Sequence, residues 1–183
     1  MLQETMIQMY REENIFRAII ISLYNNSVFN NKEYRLSRSQ KINCLKKDIF
    51  PFFSDPQNLA KLTPPWVGFK ILEAPSGKMS SGDRIRYRIK LLFFPMYWET
   101  IIVEFVDGEY FSDLQLRGPY KLWLHKHTFY EKDGYTVMED EVLYEMPFSF
   151  IGRLVQCFFV KKALKKIFDY RFEAVNNLFN KNA

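Results

Sequence analysis

From Arg84 onward the chain alternates. In "RIRYRIKL", Ile85, Tyr87, Ile89 and Leu91 fall on one side and Arg84, Arg86, Arg88 and Lys90 on the other, the period-two signature of a half-buried strand. "MYWETIIVEFV", "EYFSDLQLR", "YKLWLHKHTFYE" and "YTVMEDEVLYE" follow. Phe93-Phe94-Pro95, Asp107-Gly108, Gly118-Pro119 and Asp133-Gly134 separate them, and turns at such short intervals predict an antiparallel meander. Upstream, "YRLSRSQKI" alternates well enough for a first strand. "KKDIFPFFSDPQNLAKLT" then predicts two short helices, with Ser54-Asp55-Pro56 ending one and capping the next. "WVGFKILEAP" predicts another strand, before the turn-rich "SGKMSSGD".

The period changes at the C-terminus. From Phe150 to about Phe179, the residues Ile151, Leu154, Val155, Phe158, Leu164, Ile167, Phe168, Val175 and Leu178 recur every three or four positions, one apolar stripe on a long helix. Lys161, Lys162, Lys165, Lys166 and Arg171 read as lying mostly off that stripe. A curved sheet with one apolar face needs a cover, and the last helix has the length to provide it. The pattern therefore predicts an α+β domain over residues 33–183, with residues 1–32 as an N-terminal extension that forms a short helix or is disordered.

Composition sharpens the picture in two places. Aromatic residues make up 17% of the 183-residue chain, with 18 Phe and 11 Tyr, enough large rings to fill a core or to wall a cavity for an apolar ligand. The formal charge of +5 is mild, and the basic residues are interleaved with 21 acidic ones rather than gathered in a stripe, so no nucleic-acid partner is expected. The ladder Arg84, Arg86, Arg88, Lys90 reads as a solvated outer sheet face, neutralised by acids such as Glu99 or Glu104. Cys44 and Cys157 lie far apart with no CxxC, as small buried residues in a reducing, cytoplasmic setting would. "NIFRAIIISLY" is too short for a membrane span and is preceded by Glu12 and Glu13, unlike a signal peptide. Peripheral membrane contact through residues 1–32 stays open.

The only two histidines, His125 and His127, stand one residue apart on a predicted strand. A two-residue Asp133-Gly134 loop pairs Lys132 with Tyr135, and the register runs back from there. His127 then faces Asp140, Phe129 faces Met138, His125 faces Val142 and Trp123 faces Tyr144, all on the inner side, while Lys126, Thr128, Glu139 and Glu141 face water. Two histidines at i, i+2 with one aspartate could supply three zinc ligands. No third histidine, neighbouring cysteine or HExxH helix accompanies them, so no metal is expected. A catalytic His127–Asp140 pair is chemically sound, because a carboxylate orients an imidazole and raises its basicity, but no nucleophile motif such as GxSxG stands beside it. The remaining readings are a mutually satisfied buried pair and a polar contact for a ligand.

Three strings, "FFSDPQNLAKLTPPWVGFKIL", "DLQLRGPYKLWLHKHTF" and "YEMPFSFIG", resemble the ligand-binding branch of the SRPBCC superfamily. This START-like, Bet v 1-like group includes polyketide cyclases/dehydrases and coenzyme-Q-binding START domains. The resemblance runs from about Tyr34 to Phe179. It implies a helix-grip fold: a seven-stranded curved antiparallel sheet wrapped around a long C-terminal helix, with two short helices after the first strand and a hydrophobic cavity inside. It thus implies a small hydrophobic partner, such as a lipid, isoprenoid quinone or polyketide-like compound, with no cofactor. The candidate walls are Trp66, Phe69, Tyr87, Trp98, Trp123, Phe129, Met138, Tyr144 and Phe158, with His125, His127 and Asp140 as polar contacts. The alternative is a cyclase/dehydrase-type enzyme using the same His–Asp pair. A monomer or weak dimer is expected.

Overall fold

The computed structural model describes residues 33–91, 94–147 and 159–180. The N-terminal extension, Phe158 and the first turns of the anticipated last helix lie outside them. Strand β1 (Glu33–Ile42) is followed by helix α1 (Lys46–Phe53) and two 3₁₀ turns (Pro56–Leu62 and Pro65–Val67). Strands β2 (Lys70–Glu73), β3 (Arg84–Leu91), β4 (Phe94–Val106), β5 (Tyr110–Arg117), β6 (Leu122–Lys132) and β7 (Tyr135–Glu145) come next. Helix α2 (Lys161–Val175) ends the domain, continued by a wider turn at Asn176–Asn180. The strands form one seven-stranded sheet in the order β1-β7-β6-β5-β4-β3-β2, and every pairing is antiparallel. No described helix is long and apolar enough to cross a membrane.

Local chemistry explains the boundaries. Asp55 caps the first 3₁₀ turn, its carboxylate accepting from the Gln57 N–H at 2.9 Å, with Pro56 at the first helical position. Pro51 falls in the second turn of α1 and removes one backbone bond, and the helix ends at Phe53. β2 is shorter than "WVGFKILEAP" predicts. Pro64 and Pro65 fix φ and start a 3₁₀ turn at Trp66, which Gly68 terminates in the left-handed region at φ 56°. β4 begins at Phe94, inside the anticipated Phe93-Phe94-Pro95 turn, because Leu91 pairs with Phe94.

The sheet's pairing slips in β4 between Glu99 and Thr100 and again between Ile102 and Glu104. Such bulges bend a strand and increase its twist, which turns the sheet around α2. The inner face carries two apolar clusters. One centres on Phe50, whose ring lies 5.7, 6.2 and 5.3 Å from those of Phe105, Phe111 and Phe129. The other joins Trp98, Trp123, Val142 and Tyr144 to Leu164 and Phe168 of α2. Gln40 of β1 ties the helix down, its amide donating to the Phe172 carbonyl at 2.9 Å and to Asn176 Oδ1 at 3.0 Å.

The outer face departs from simple alternation. Ile101, Leu124 and Leu143 sit on it yet are buried, with Val103 beside them at the second bulge. Elsewhere it is polar. Arg84 pairs with Glu99 at 3.3 Å and Arg86 with Glu73 at 2.6 Å, whereas Glu104 accepts from the Ser112 hydroxyl instead.

Phe50 holds α1 against three strands, so truncating it leaves a void that the sheet cannot collapse into. Phe50→Ala is expected to cost about 3–5 kcal/mol, and in a chain of this length to lower the melting temperature by roughly 10 °C in calorimetry.

Candidate functional site

The hairpin between β6 and β7 turns on Asp133 (φ 48°) and Gly134 (φ 81°), two consecutive left-handed residues, and pairs Lys132 with Tyr135. The register then runs unbroken through Phe129–Met138, His127–Asp140, His125–Val142 and Trp123–Tyr144. On the other flank, β5 sets Asp113 opposite His125 and Phe111 opposite His127. Both imidazoles therefore stand on the inner face between two carboxylates.

The distances define a compact network. His125 Nε2 lies 3.0 Å from Asp140 Oδ1, in hydrogen-bonding geometry. His127 Nδ1 lies 2.6 Å from the same oxygen but off the line of a ring N–H, so this is an ionic contact without an aligned hydrogen bond. The opposite ring nitrogens, His125 Nδ1 and His127 Nε2, are each 3.8 Å from Asp113 Oδ2. Thr100 donates its hydroxyl to Asp113 Oδ1 at 2.9 Å. From α2, Arg171 Nη1 donates to Asp140 Oδ1 at 3.3 Å. The two imidazole centroids are 3.8 Å apart.

Such a cluster is stable only if its charges cancel, because an uncompensated buried charge costs several kcal/mol. Burial works against ionisation of Asp140, but Arg171, His127 and His125 together hold it well below the usual carboxylate range. Burial likewise opposes the Asp113 charge, and His127, His125 and Thr100 outweigh it and keep that carboxyl low. For His125, burial and then the charge of His127 bring the imidazole down to about 4, so it is neutral. Burial also opposes protonation of His127, but the Asp140 and Asp113 carboxylates outweigh it and raise the group above the ordinary histidine value. Two carboxylates face one guanidinium, and protonation of His127 would bring the sum to zero.

Between this network and α2 lies a cavity of about 310 Å³. Its apolar walls include Phe53, Leu62, Phe69, Trp98, Trp123 and Leu164, and Asp113, His125, His127 and Arg171 supply polar edges. Of the residues anticipated as walls or contacts, the structure brings Phe69, Tyr87, Trp98, Trp123, His125 and His127 together around this space. Burial, and then the Asp113 charge, pushes the Tyr87 phenol upward, which keeps it protonated as a donor. Phe129 and Met138 share the inner face but belong to the Phe50 cluster, and Tyr144 packs on Tyr34 and Trp123. Asp140 stands behind the histidines, on a separate cleft shared with Arg38, Gln40 and Asp169. Trp66 is corrected: it is 56% exposed and outside the cavity, because the Pro65–Val67 turn directs Val67 inward in its place.

From the sequence, Asp113 on the preceding strand is only a candidate partner for His125, because the Gly118-Pro119 turn does not fix that register, and Thr100 and Arg171 were missed. A signal existed for the last. Leu164, Phe168, Arg171 and Val175 are spaced by four, three and four, so Arg171 lies on the apolar stripe and not beside it.

No family model matches the chain, and no curated protein matches it. Solved structures do. The chain is similar to ginseng major latex-like protein 151 from Panax ginseng, at 11% identity and a TM-score of 0.61, covering 81% of this chain and 99% of that one. It is similar to protein CV1439 from Chromobacterium violaceum, at 15% identity and a TM-score of 0.61, covering 80% and 97%. Ara h 8.0201 matches at 12% identity and a TM-score of 0.55, covering 80% and 97%. These likenesses show the fold alone: a helix-grip fold like that of Bet v 1-like proteins.

The charge balance carries a consequence for stability. Asp140→Asn keeps the shape but removes the carboxylate shared by Arg171 and both histidines, leaving the largely buried Arg171 guanidinium without its partner. The loss is expected to be about 3 kcal/mol in urea unfolding, whereas a change within about 0.5 kcal/mol would show the contacts to be incidental.

Proposed function

We propose that the protein binds a small hydrophobic molecule with one polar end, held between the sheet and α2. The observation that carries this reading is the aromatic cavity with the buried Asp113–His125–His127 cluster on its wall. Its volume of about 310 Å³ falls at the low end of the range for small-molecule sites. That size favours a compact polyketide-like compound or the ring of an isoprenoid quinone over an entire long-chain lipid. A second buried feature supports it: Trp98 lines the cavity, and its indole N–H has no hydrogen-bond partner among the described residues. Buried donors without partners are rare in folded proteins, and a ligand oxygen would satisfy this one. Phe69, Tyr87, Trp98 and Trp123 are the proposed walls. His125 and His127 are the proposed polar contacts, with Asp140 orienting them from behind. The cytoplasm is the proposed compartment, in keeping with two cysteines that form no CxxC pair.

The His pair supports a second reading, a cyclase/dehydrase-type enzyme, because the cavity could fold a reactive chain against His127 held by Asp140. The two readings part at His127→Ala. A binder changes affinity and nothing else, whereas an enzyme loses turnover and keeps ligand affinity within about tenfold.

The binding reading is tested by native mass spectrometry of the full chain purified from its own host, beside Ala163→Phe. Ala163 lines the cavity from α2, and the larger ring occupies the space. A single small apolar adduct on the native protein, lost from the variant, is expected. A native protein carrying no adduct, and binding no hydrophobic dye that the variant fails to bind, would overturn the reading.

A further inference from the structure

The sequence argues against a metal, because no third histidine or cysteine stands beside the two histidines. The structure supplies a further ligand from a neighbouring strand. Asp113 Oδ2, His125 Nδ1 and His127 Nε2 face one another at the cavity wall, and one ligand atom from each of the three residues lies within 4.8 Å of the others. We propose that Asp113, His125 and His127 form a site for one divalent first-row transition-metal ion, with its open coordination positions facing the cavity.

Two features carry the proposal. The first is span. An ion about 2.1 Å from each of three nitrogen or oxygen ligands needs those atoms roughly 3–4 Å apart. The Asp113 oxygen already stands 3.8 Å from each imidazole nitrogen, and one ligand atom from each residue lies within 4.8 Å of the others, so small side-chain adjustments suffice to close the site. The second is the outer shell. Metal-bound histidines usually give their other ring N–H to a carboxylate, which sets the tautomer and aims the lone pair. Here the far nitrogens, His125 Nε2 and His127 Nδ1, lie 3.0 and 2.6 Å from Asp140 Oδ1. Asp140 thus backs the His125 ring through a hydrogen bond and makes an ionic contact with the His127 ring, while Asp113 stands with their front nitrogens. Thr100 engages Asp113 Oδ1, which leaves Oδ2 for the ion.

Two histidines and one carboxylate on one side of an ion leave the other side open, the arrangement that suits zinc or ferrous iron with an exchangeable ligand. The occupant of that open side would be an oxygen or nitrogen of whatever enters the cavity. The site stands whether or not the hydrophobic-ligand reading holds, since its readout is the ion alone.

The test uses chelator-stripped full-length protein titrated with Co²⁺ and then Zn²⁺. One Co²⁺ per chain is expected, with visible d–d absorption that Zn²⁺ abolishes. His125→Ala and Asp113→Asn should each weaken Co²⁺ binding by at least about 100-fold. Asp140→Asn should weaken it by about 10–100-fold, with near-ultraviolet circular dichroism confirming the fold of each variant. X-ray absorption at the zinc edge of the wild-type protein covers the case of an unfolded variant, and should show two imidazoles and oxygen with no sulfur. Absence of d–d absorption at millimolar Co²⁺ overturns the proposal. So does a sulfur ligand, or affinity unchanged in all three variants.

Discussion

Two carboxylates, Asp140 buried and Asp113 partly so, lie on the inner face of a sheet, and the charged side chains of the interior gather around them. Asp113 and Asp140 flank the histidines on neighbouring strands. Arg171 reaches Asp140 from α2 across the cavity edge, so the ion pair also links helix to sheet. The two carboxylates favour the protonated form of His127, and His125 stays neutral. Because the pairing spans different elements, the helix cannot rotate or slide without exposing a charge. This makes the network a register pin as well as a polar wall, the use for which buried ion pairs are best attested.

The cavity follows from the same geometry. Bulges in β4 curve the sheet, and the small helical turns after β1 bring Phe53, Leu62 and Val67 to one end. Large rings from β3, β4 and β6 project inward but meet α2 chiefly at Leu164 and Phe168. The space that remains is apolar except where the network faces it. A site that is greasy around and polar at one wall can orient a molecule with one heteroatom-bearing end, and exclude water from whatever that end touches.

What could be read from the sequence depended on how tightly the chain constrained itself. The His127–Asp140 pairing was legible because a two-residue Asp133-Gly134 loop leaves only one register. Asp113 was legible only as a candidate partner for His125, because the segment between Arg117 and Leu122 is irregular and the β5–β6 pairing starts only at Leu114–Leu124. Trp66 was misplaced because alternation was extended through Pro64-Pro65, where fixed φ angles favour a turn. Arg171 was read by its chemistry and not by its position: its spacing put it on the buried stripe, but a cation there is expected to face water unless a partner is known. The overall order of strands and helices was legible throughout, since strict alternation and short turns leave few topologies for a meander closed by a helix.

The most direct test of the charge balance is a double-mutant cycle between Asp140 and Arg171, with Asp140→Leu, Arg171→Met and the pair combined, read by urea unfolding. If the network exists to cancel buried charge, each single change strands a partner, and the double variant recovers much of the loss. The coupling is then expected to be at least about 2 kcal/mol, with the double variant more stable than Asp140→Leu alone. Losses that add to within about 0.5 kcal/mol would contradict the account, because they would mean the two charges do not depend on one another.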